Sequence, residues 1–306
     1  KYHRSKKIYK HVLGTPFEQD KLIFEEKEEA FSVGISLTSD EKFFIISTSD
    51  SNTDEEYFFS TKEEEIKIQL FQSRKKGIKY SIDSWQGYWY MHTNQNALDY
   101  QILKSNHKNF KELKVFIPPR KETIIGGLEF LDNYILRTEK SNAIPKLFFR
   151  EINNNIEEEI IISKEPVGSP GFSLMQKDTN TSTIRISWDS LATPGKIYEF
   201  NIKTKEKKLV KKIKIPSGHN PENYLVERIN ATSHDGRQIP LTLVRRKDTK
   251  LNGKSKLLLY AYGCYKHSVP VSFSASRFCL VDRNIIFGIA HVRGGGELGE
   301  SFYQEG

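Results

Sequence analysis

The sequence is poor in cysteine, and its histidines show no ligand spacing. Among 306 residues there are two cysteines, Cys264 and Cys279. Two are too few for the disulfide framework of a small secreted domain or for a cysteine-ligated zinc site. The eight histidines contain no H-x-x-x-H or similar pattern. We therefore expect no metal, no cofactor and a reducing compartment, the cytoplasm.

Long apolar runs are also absent. No stretch reaches the 18 or more apolar residues of a transmembrane helix, and the first fifteen residues contain no apolar segment typical of a signal peptide. We expect no membrane association. The sequence does not begin with Met and opens inside a strand pattern, so we expect it to be part of a longer chain.

Acidic residues are outnumbered by basic ones, which gives a formal net charge of +8 and a pI near 9.1. Such a balance permits nucleic-acid binding. However, the lysines lie in scattered pairs at turns between strands, without a recognition helix or a stacking motif, so we do not expect a nucleic-acid partner. Lysines on edge strands also discourage aggregation. The pairs are Lys6–Lys7, Lys75–Lys76, Lys207–Lys208 and Lys211–Lys212.

The first 215 residues consist of short alternating segments rich in aromatic and β-branched residues, which predict β-strands. The middle strand of a unit recurs after 45, 46 and 50 residues, at Phe43, Tyr88, Tyr134 and Ile184. A period of roughly 40–50 residues with four strands per unit is typical of β-propeller blades. We predict a partial propeller of about four to five blades, with an antiparallel sandwich as the alternative.

The pattern changes near "IPSGHNPENY" (215–224), so we predict two domains, residues 1–215 and 216–306. In the second, Asp235-Gly236 separates two alternating runs and predicts a hairpin. "KLLLYAYG" (256–263) and "NIIFGIAHV" (284–292) predict strands covered on both faces. "SASRFCLVDR" (274–283), between them, predicts an amphipathic helix with Phe278, Leu280 and Val281 inward. Strand, helix and strand in this order indicate the start of an α/β sheet.

Several of these segments resemble the prolyl oligopeptidase family of serine peptidases, and most of all its oligopeptidase B branch. They are "ATSHDGRQIPLTLV" (231–244), "LLLYAYGCY" (257–265), "AHVRGGGELG" (290–299) and "IYKHVLGTPFEQDKLIFEE" (8–26). The resemblance implies a propeller covering an α/β-hydrolase domain. It also implies peptide hydrolysis through an acyl-enzyme, with a Ser-Asp-His triad.

The nucleophile of this family stands on a G-x-S-x-G elbow between a strand and a helix. The strings nearest to it here, "GSPGF" (168–172) and "GESFY" (299–303), do not match. The resemblance places all three triad residues beyond Gly306, so we expect none in this chain. The 306-residue chain alone is expected to be inactive, and the missing C-terminal segment could also be a separate partner chain.

One catalytic element of the family falls within the sequence. The second Tyr of the Y-x-Y-G stretch, which corresponds to Tyr262, donates its hydroxyl to the oxyanion in such enzymes. A donor at the end of a strand that points into a cleft can stabilise charge that appears only in the transition state. The alternative is a core tyrosine whose hydroxyl binds a backbone carbonyl.

The R-G-G-G-E segment, Arg293 to Glu297, is the most specific part of the resemblance. A phosphate-binding loop would lead into Lys-Ser or Lys-Thr, whereas here a glutamate follows and would repel an anion. Gly294, Gly295 and Gly296 permit positive φ and close backbone approach. We predict a structural loop that borders the active-site cleft, with Arg293 and Glu297 paired across the turn.

The resemblance implies short peptides as substrates, cleaved after Arg or Lys. The acidic positions expected after Y-x-Y-G are occupied by Pro270 and Ser272, which weakens a dibasic preference. A prolyl-specific or esterase-like relative and a catalytically inactive propeller interaction module therefore remain as alternatives.

Overall fold

A computed structural model describes residues 4–154, 156–172 and 179–306 of the chain. The chain divides into two compact units, Lys1–Pro119 and Arg120–Gly306. The first unit contains ten strands: β1 Lys7–Lys10, β2 Lys21–Glu25, β3 Ser32–Leu37, β4 Phe43–Ser49, β5 Asp54–Ser60, β6 Gln69–Gln72, β7 Tyr80–Trp85, β8 Tyr88–Thr93, β9 Gln101–Asn106 and β10 Lys114–Ile117.

The second unit continues with twelve strands and two short helices. They are β11 Thr123–Phe130, β12 Tyr134–Ser141, β13 Ile144–Glu151, β14 Glu157–Glu159, β15 Gly171–Phe172, β16 Thr183–Trp188, β17 Lys196–Asn201, β18 Lys207–Lys212, β19 Tyr224–Thr232, β20 Gln238–Arg246, β21 Leu257–Tyr260, α1 Phe278–Val281, β22 Ile286–Ala290 and α2 Glu300–Gln304. Single 3-10 turns occupy Phe17–Gln19, His107–Asn109, Pro221–Asn223 and Ala275–Arg277.

The predicted blades are present as four antiparallel sheets of four strands, each formed by strands that follow one another in the chain. Strands β3–β6 and β7–β10 form the two sheets of the first unit, beside the two-stranded ribbon β1–β2. Strands β11–β14 and β15–β18 form two sheets of the second unit. The repeat of 40–50 residues thus corresponds to one sheet per period, as predicted for a propeller segment.

Within each unit, the two antiparallel four-stranded sheets bury apolar side chains against each other. In the first unit Trp89 of β8 is 1% exposed, and it packs with its ring centroid 4.7 Å from those of Phe43 and Phe58 in the preceding sheet. In the second unit Leu147 and Ile184, from the third and fourth sheets, belong to one buried cluster. A single four-stranded sheet cannot bury both of its faces, so each repeat unit needs a neighbouring sheet to pack against.

The strand arrangement changes after β18, whereas the division into two compact units falls earlier, after Pro119, and not near residue 215. Strands β19 and β20 pair along their whole length as a hairpin, and Gly236 in the connecting turn has a φ of 84°. Strand β22 pairs antiparallel with β20 and parallel with β21. The resulting mixed sheet has the order β19-β20-β22-β21, and the parallel pair is the α/β element that the sequence indicated.

Two details of this region differ from the prediction. Within these 306 residues β21 is not covered on both faces, since its residues Leu257 to Tyr260 are each 44–52% exposed. The expected helix is one turn of 3-10 followed by the four residues of α1, with Phe278 and Val281 buried and Leu280 only half-buried. Strand β22 is half-buried at its start and buried over its last three residues, close to the prediction.

Strand β18, which carries two of the lysine pairs, is exposed at every residue and forms the edge of its sheet. These two pairs lie within a strand and not at turns as the sequence suggested, and in this position lysines protect the edge of a sheet. Over the described residues, no helix has both the length and the apolar character needed to cross a membrane.

Candidate functional site

Tyr262 follows β21 by two residues and lies at a cleft of about 840 Å³. Its side chain is half exposed, and its ring meets that of His267 edge-on, with 5.5 Å between the centroids. The Tyr262 hydroxyl makes no hydrogen bond to the described part of the chain. Within the described residues, Tyr262 thus lacks the backbone carbonyl partner that the alternative of a core tyrosine requires.

The loop after Tyr262 and the R-G-G-G-E segment touch through their backbones. The Lys266 amide donates to the carbonyl of Gly294 at 3.0 Å. Gly263 and Gly294 adopt φ values of 68° and 80°. A Cβ on Gly263 would lie 2.8 Å from the Arg293 carbonyl oxygen, and one on Gly294 would overlap the Gly263 carbonyl. Close backbone approach is therefore present at Gly294 and also at Gly296, where a Cβ would lie 2.7 Å from the Lys266 carbonyl oxygen. Of the three glycines, only Gly294 has a positive φ.

The predicted pair between Arg293 and Glu297 is wrong. The Arg293 guanidinium forms an ion pair with Asp235 in the β19–β20 turn. Glu297 instead points inward, is 3% exposed, and accepts a hydrogen bond from the Val269 amide at 3.0 Å. The two side chains thus have separate partners: the Arg293 side chain stays partly exposed, whereas the Glu297 carboxylate is buried against the loop after Tyr262.

Glu297 belongs to a polar network that also contains Arg228 of β19, Thr242 of β20 and His291, the residue after β22. Nδ1 of His291 lies 3.7 Å from the Glu297 carboxylate, which is too far for a hydrogen bond but leaves the dipole of the neutral ring beside the carboxylate. Nε2 of His291 lies 2.9 Å from the Thr242 hydroxyl, which also accepts a hydrogen bond from Arg228 at 2.5 Å. With the hydroxyl proton directed to Nε2, the ring carries its own proton on Nδ1, which faces Glu297.

Burial decides the charge of this network. It lowers the pKa of His291, so the imidazole is neutral at pH 7. Burial by itself would raise the pKa of Glu297, but the interaction with His291 and the Val269 amide outweigh it and hold the pKa below its usual value. Burial also lowers the pKa of Arg228, to about 10, against the attraction of Glu297. Glu297 is therefore the ionised carboxylate at the centre of the network.

Sequence reasoning missed two further contacts of the loop after Tyr262. Nζ of Lys140, at the end of β12, donates to the Ser268 hydroxyl at 2.7 Å. Lys266 forms an ion pair with Glu300 of α2. Lys140 stands in an ordinary strand pattern 128 positions before its partner, so no local signal identifies it. Nowhere in the described ranges do three or more His, Cys, Asp or Glu side chains cluster as metal ligands.

The chain was compared with known families and proteins. Residues 1–213 match the family model for the prolyl oligopeptidase N-terminal β-propeller domain. A curated relative, dipeptidyl aminopeptidase BI of Pseudoxanthomonas mexicana, is 33% identical over 99% of this chain and 42% of its own length. Protease 2 of Moraxella lacunata is 27% identical over 100% of this chain and 44% of its own length.

A solved structure extends the likeness to three dimensions. Oligopeptidase B from Trypanosoma brucei, with covalently bound antipain in its closed form, superimposes with a TM-score of 0.89 at 26% identity. The match covers 99% of this chain and 44% of that one. The chain thus spans less than half the length of these relatives, and in them the remaining length is part of the same chain. Because the family model matches more than two thirds of its residues, the chain belongs to the prolyl oligopeptidase family.

Proposed function

We propose that this sequence is part of a serine oligopeptidase that hydrolyses short peptides, and that Tyr262 donates a hydrogen bond to the oxyanion of the tetrahedral intermediate. The observation that carries the proposal is the Tyr262 hydroxyl, which lies beside a cleft, just after a parallel strand, without a protein partner in the described residues. The relatives support the reaction class, since those named above are peptidases.

In this reaction a serine oxygen attacks the scissile carbonyl and negative charge develops on the carbonyl oxygen. A neutral phenol that meets this oxygen only in the tetrahedral state lowers the barrier without tightening substrate binding. A single donor of this kind contributes roughly 2.7–4 kcal/mol. Arg293, Gly294, Gly295, Gly296 and Glu297 have a structural role in the proposal: they shape the loop on which the residues after Tyr262 rest.

The proposal places the serine, aspartate and histidine of the triad in the additional length that the relatives carry in the same chain. No G-x-S-x-G elbow occurs in the 306 residues, so we propose that this chain alone does not hydrolyse peptides. The two cysteines are free and exposed, which supports a reducing compartment, and we propose the cytoplasm.

Cleavage after Arg or Lys requires a counter-charge for the bound basic side chain. Pro270 and Ser272 line the cleft beside Tyr262, and no carboxylate is among the described residues that do so. A lysine or arginine side chain bound in this cleft would have no counter-charge from these residues. Any preference for basic residues must then come from carboxylates elsewhere in the protein, and prolyl-specific or esterase-like activity is the alternative.

The test compares this chain with the same sequence extended to the length of its relatives. Both are treated with a fluorophosphonate probe and weighed as intact proteins, and the extended protein is assayed with short peptides that carry Arg, Pro or Ala before the scissile bond. We expect no adduct on this chain, and one adduct and hydrolysis for the extended protein. An adduct on this chain would contradict the assignment of the nucleophile. No adduct on either protein, together with capture of a protein partner, would favour the interaction module.

A further inference from the structure

The hairpin that joins β12 and β13 reaches from the third four-stranded sheet to the elements around Tyr262. Its two turn residues, Asn142 and Ala143, both have positive φ, 50° and 58°, as in two-residue hairpin turns. Alanine adopts this conformation only at an energetic cost, so the surrounding contacts must hold it there. Ala143 is 5% exposed and packs in a cluster with Leu298 and Phe302, which follow the R-G-G-G-E segment.

Polar contacts fix the same hairpin on two more sides. The Asn142 carbonyl accepts a hydrogen bond from Arg228 of β19. The Lys140 ammonium donates to Ser268, within the loop that follows Tyr262. The hairpin therefore contacts the mixed sheet, the glycine segment and the loop after Tyr262 at once.

Two side chains from different parts of the chain hold adjacent residues of this loop. Lys140 binds the Ser268 hydroxyl at 2.7 Å, and Glu297 accepts the Val269 amide at 3.0 Å. Residue 267, directly before them, is the histidine whose ring meets that of Tyr262. A displacement of Ser268 would therefore move His267, and with it the surface against which the Tyr262 ring rests.

We propose that Lys140 is a positioning residue for Tyr262: through Ser268 it fixes the loop 263–269, so that the direction of the phenol depends on contact with the β12–β13 hairpin. The inference rests on the proposed function for its catalytic consequence. The structural part, that Lys140 orders the loop, concerns only residues of this chain. The lysine stem is half-buried, and its charge faces Glu297, Lys266 and His291.

The first experiment measures hydrogen exchange in this chain, and it does not depend on catalysis. Lys140→Met keeps most of the stem and removes the donor, and Ser268→Ala removes the acceptor without altering the hairpin. Lys146→Met is the matched control, because Lys146 lies on β13 and pairs with the exposed Glu159 at 3.0 Å. We expect at least about tenfold faster exchange of the Lys266 and Val269 amides in the first two variants, and no change in the control.

The second experiment measures kinetics in the extended protein. If Lys140 acts by placing Tyr262, Lys140→Met should lower kcat roughly 10- to 100-fold, as a small misplacement of a catalytic group does, with KM nearly unchanged. In a Tyr262→Phe background the same substitution should have almost no further effect, because the hydroxyl to be positioned is gone. A purely structural role would give the same loss in both backgrounds.

The outcomes separate the two proposals. If the Lys266 and Val269 amides exchange at the same rate in the unaltered chain and in the variants Lys140→Met and Ser268→Ala, Lys140 does not order the loop. If exchange is faster but Lys140→Met lowers kcat by the same factor with and without Tyr262→Phe, the positioning role is overturned. If the unaltered extended protein shows no hydrolysis, the proposed function fails, while the exchange comparison still decides whether Lys140 orders the loop. If Lys140→Met does not fold, Ser268→Ala provides both measurements.

Discussion

Glu56, on β5, is a buried carboxyl group that the first unit keeps protonated. It is 5% exposed, and burial raises its pKa from 4.5 to about 8. The Ser47 hydroxyl and the Ile82 amide, which donate to its two oxygens at 2.9 and 2.7 Å, oppose the rise. Asp54 and Asp83 add to it by repulsion. Because the folded state binds this proton more tightly than the unfolded state, folding stability depends on pH here.

The sign and the size follow from the two pKa values. In the unfolded chain the carboxyl group ionises near 4.5, and in the folded chain near 8. The stabilisation is fully present below pH 4.5 and is lost as the pH rises through about 8. A difference of about 3.5 pH units corresponds to roughly 5 kcal/mol at 1.36 kcal/mol per unit. We regard this as an upper limit, since relaxation around the ionised group reduces it.

The perturbation is Glu56→Gln, which keeps the shape of the side chain and an acceptor for the Ile82 amide but cannot ionise. Hydrogen exchange under increasing urea, followed in β5 and β7 between pH 5 and pH 9, gives the local unfolding free energy. We expect the wild-type value to fall by several kcal/mol relative to Glu56→Gln across this range. Glu64→Gln, at an exposed carboxylate beyond the same strand, should follow the wild type. Parallel pH profiles of the wild type and Glu56→Gln would refute the reasoning.

Three further substitutions test other parts of the account, each by urea denaturation followed by exchange. Glu297→Gln should lower the unfolding free energy by about 1.5–3 kcal/mol at pH 7. Because the pKa of Glu297 is lowered in the folded state, the wild type should lose stability as the pH falls below 4.5, and the variant should lose less. Equal acid profiles of the two proteins would contradict this. Gly294→Ala should lower the unfolding free energy more than Gly253→Ala. Both glycines have positive φ, 80° and 77°, but only a Cβ on Gly294 would meet nearby backbone atoms. Equal losses of stability would show that this contact is unimportant. Trp89→Ala should cost about 3–5 kcal/mol in the first unit, and a loss below 1 kcal/mol would contradict the stacked core.

Local patterns were sufficient for most of the strands and for the architecture. The segments around Phe43, Tyr88, Tyr134 and Ile184 are middle strands of four sheets, as the period predicted. Alternation is a short-range property of the chain, and Asp235-Gly236 specifies its hairpin for the same reason. The family resemblance, carried by "AHVRGGGELG" (290–299), is likewise a local string, and the family model confirms it.

Contacts between residues that lie far apart in the chain could not be predicted from local sequence patterns. The pattern of β21 indicated a strand covered on both faces, but cover depends on elements distant in the chain, and the 306 residues leave its side chains half exposed. Arg293 and Glu297 suggested a pair by proximity, whereas the turn separates them and the hairpin residue Asp235 takes the arginine. Lys140 donates to Ser268 only because the β12–β13 hairpin packs against the loop after Tyr262.

The central claim is that the Tyr262 hydroxyl stabilises an oxyanion, and steady-state kinetics of Tyr262→Phe in the extended protein test it most directly. The control is Tyr260→Phe, which removes a half-exposed hydroxyl two residues earlier. The account predicts that Tyr262→Phe lowers kcat about 10²- to 10³-fold with little change in KM or thermal stability, while the control keeps the wild-type kcat. A kcat within about twofold of the wild type, in a folded Tyr262→Phe protein, would contradict it.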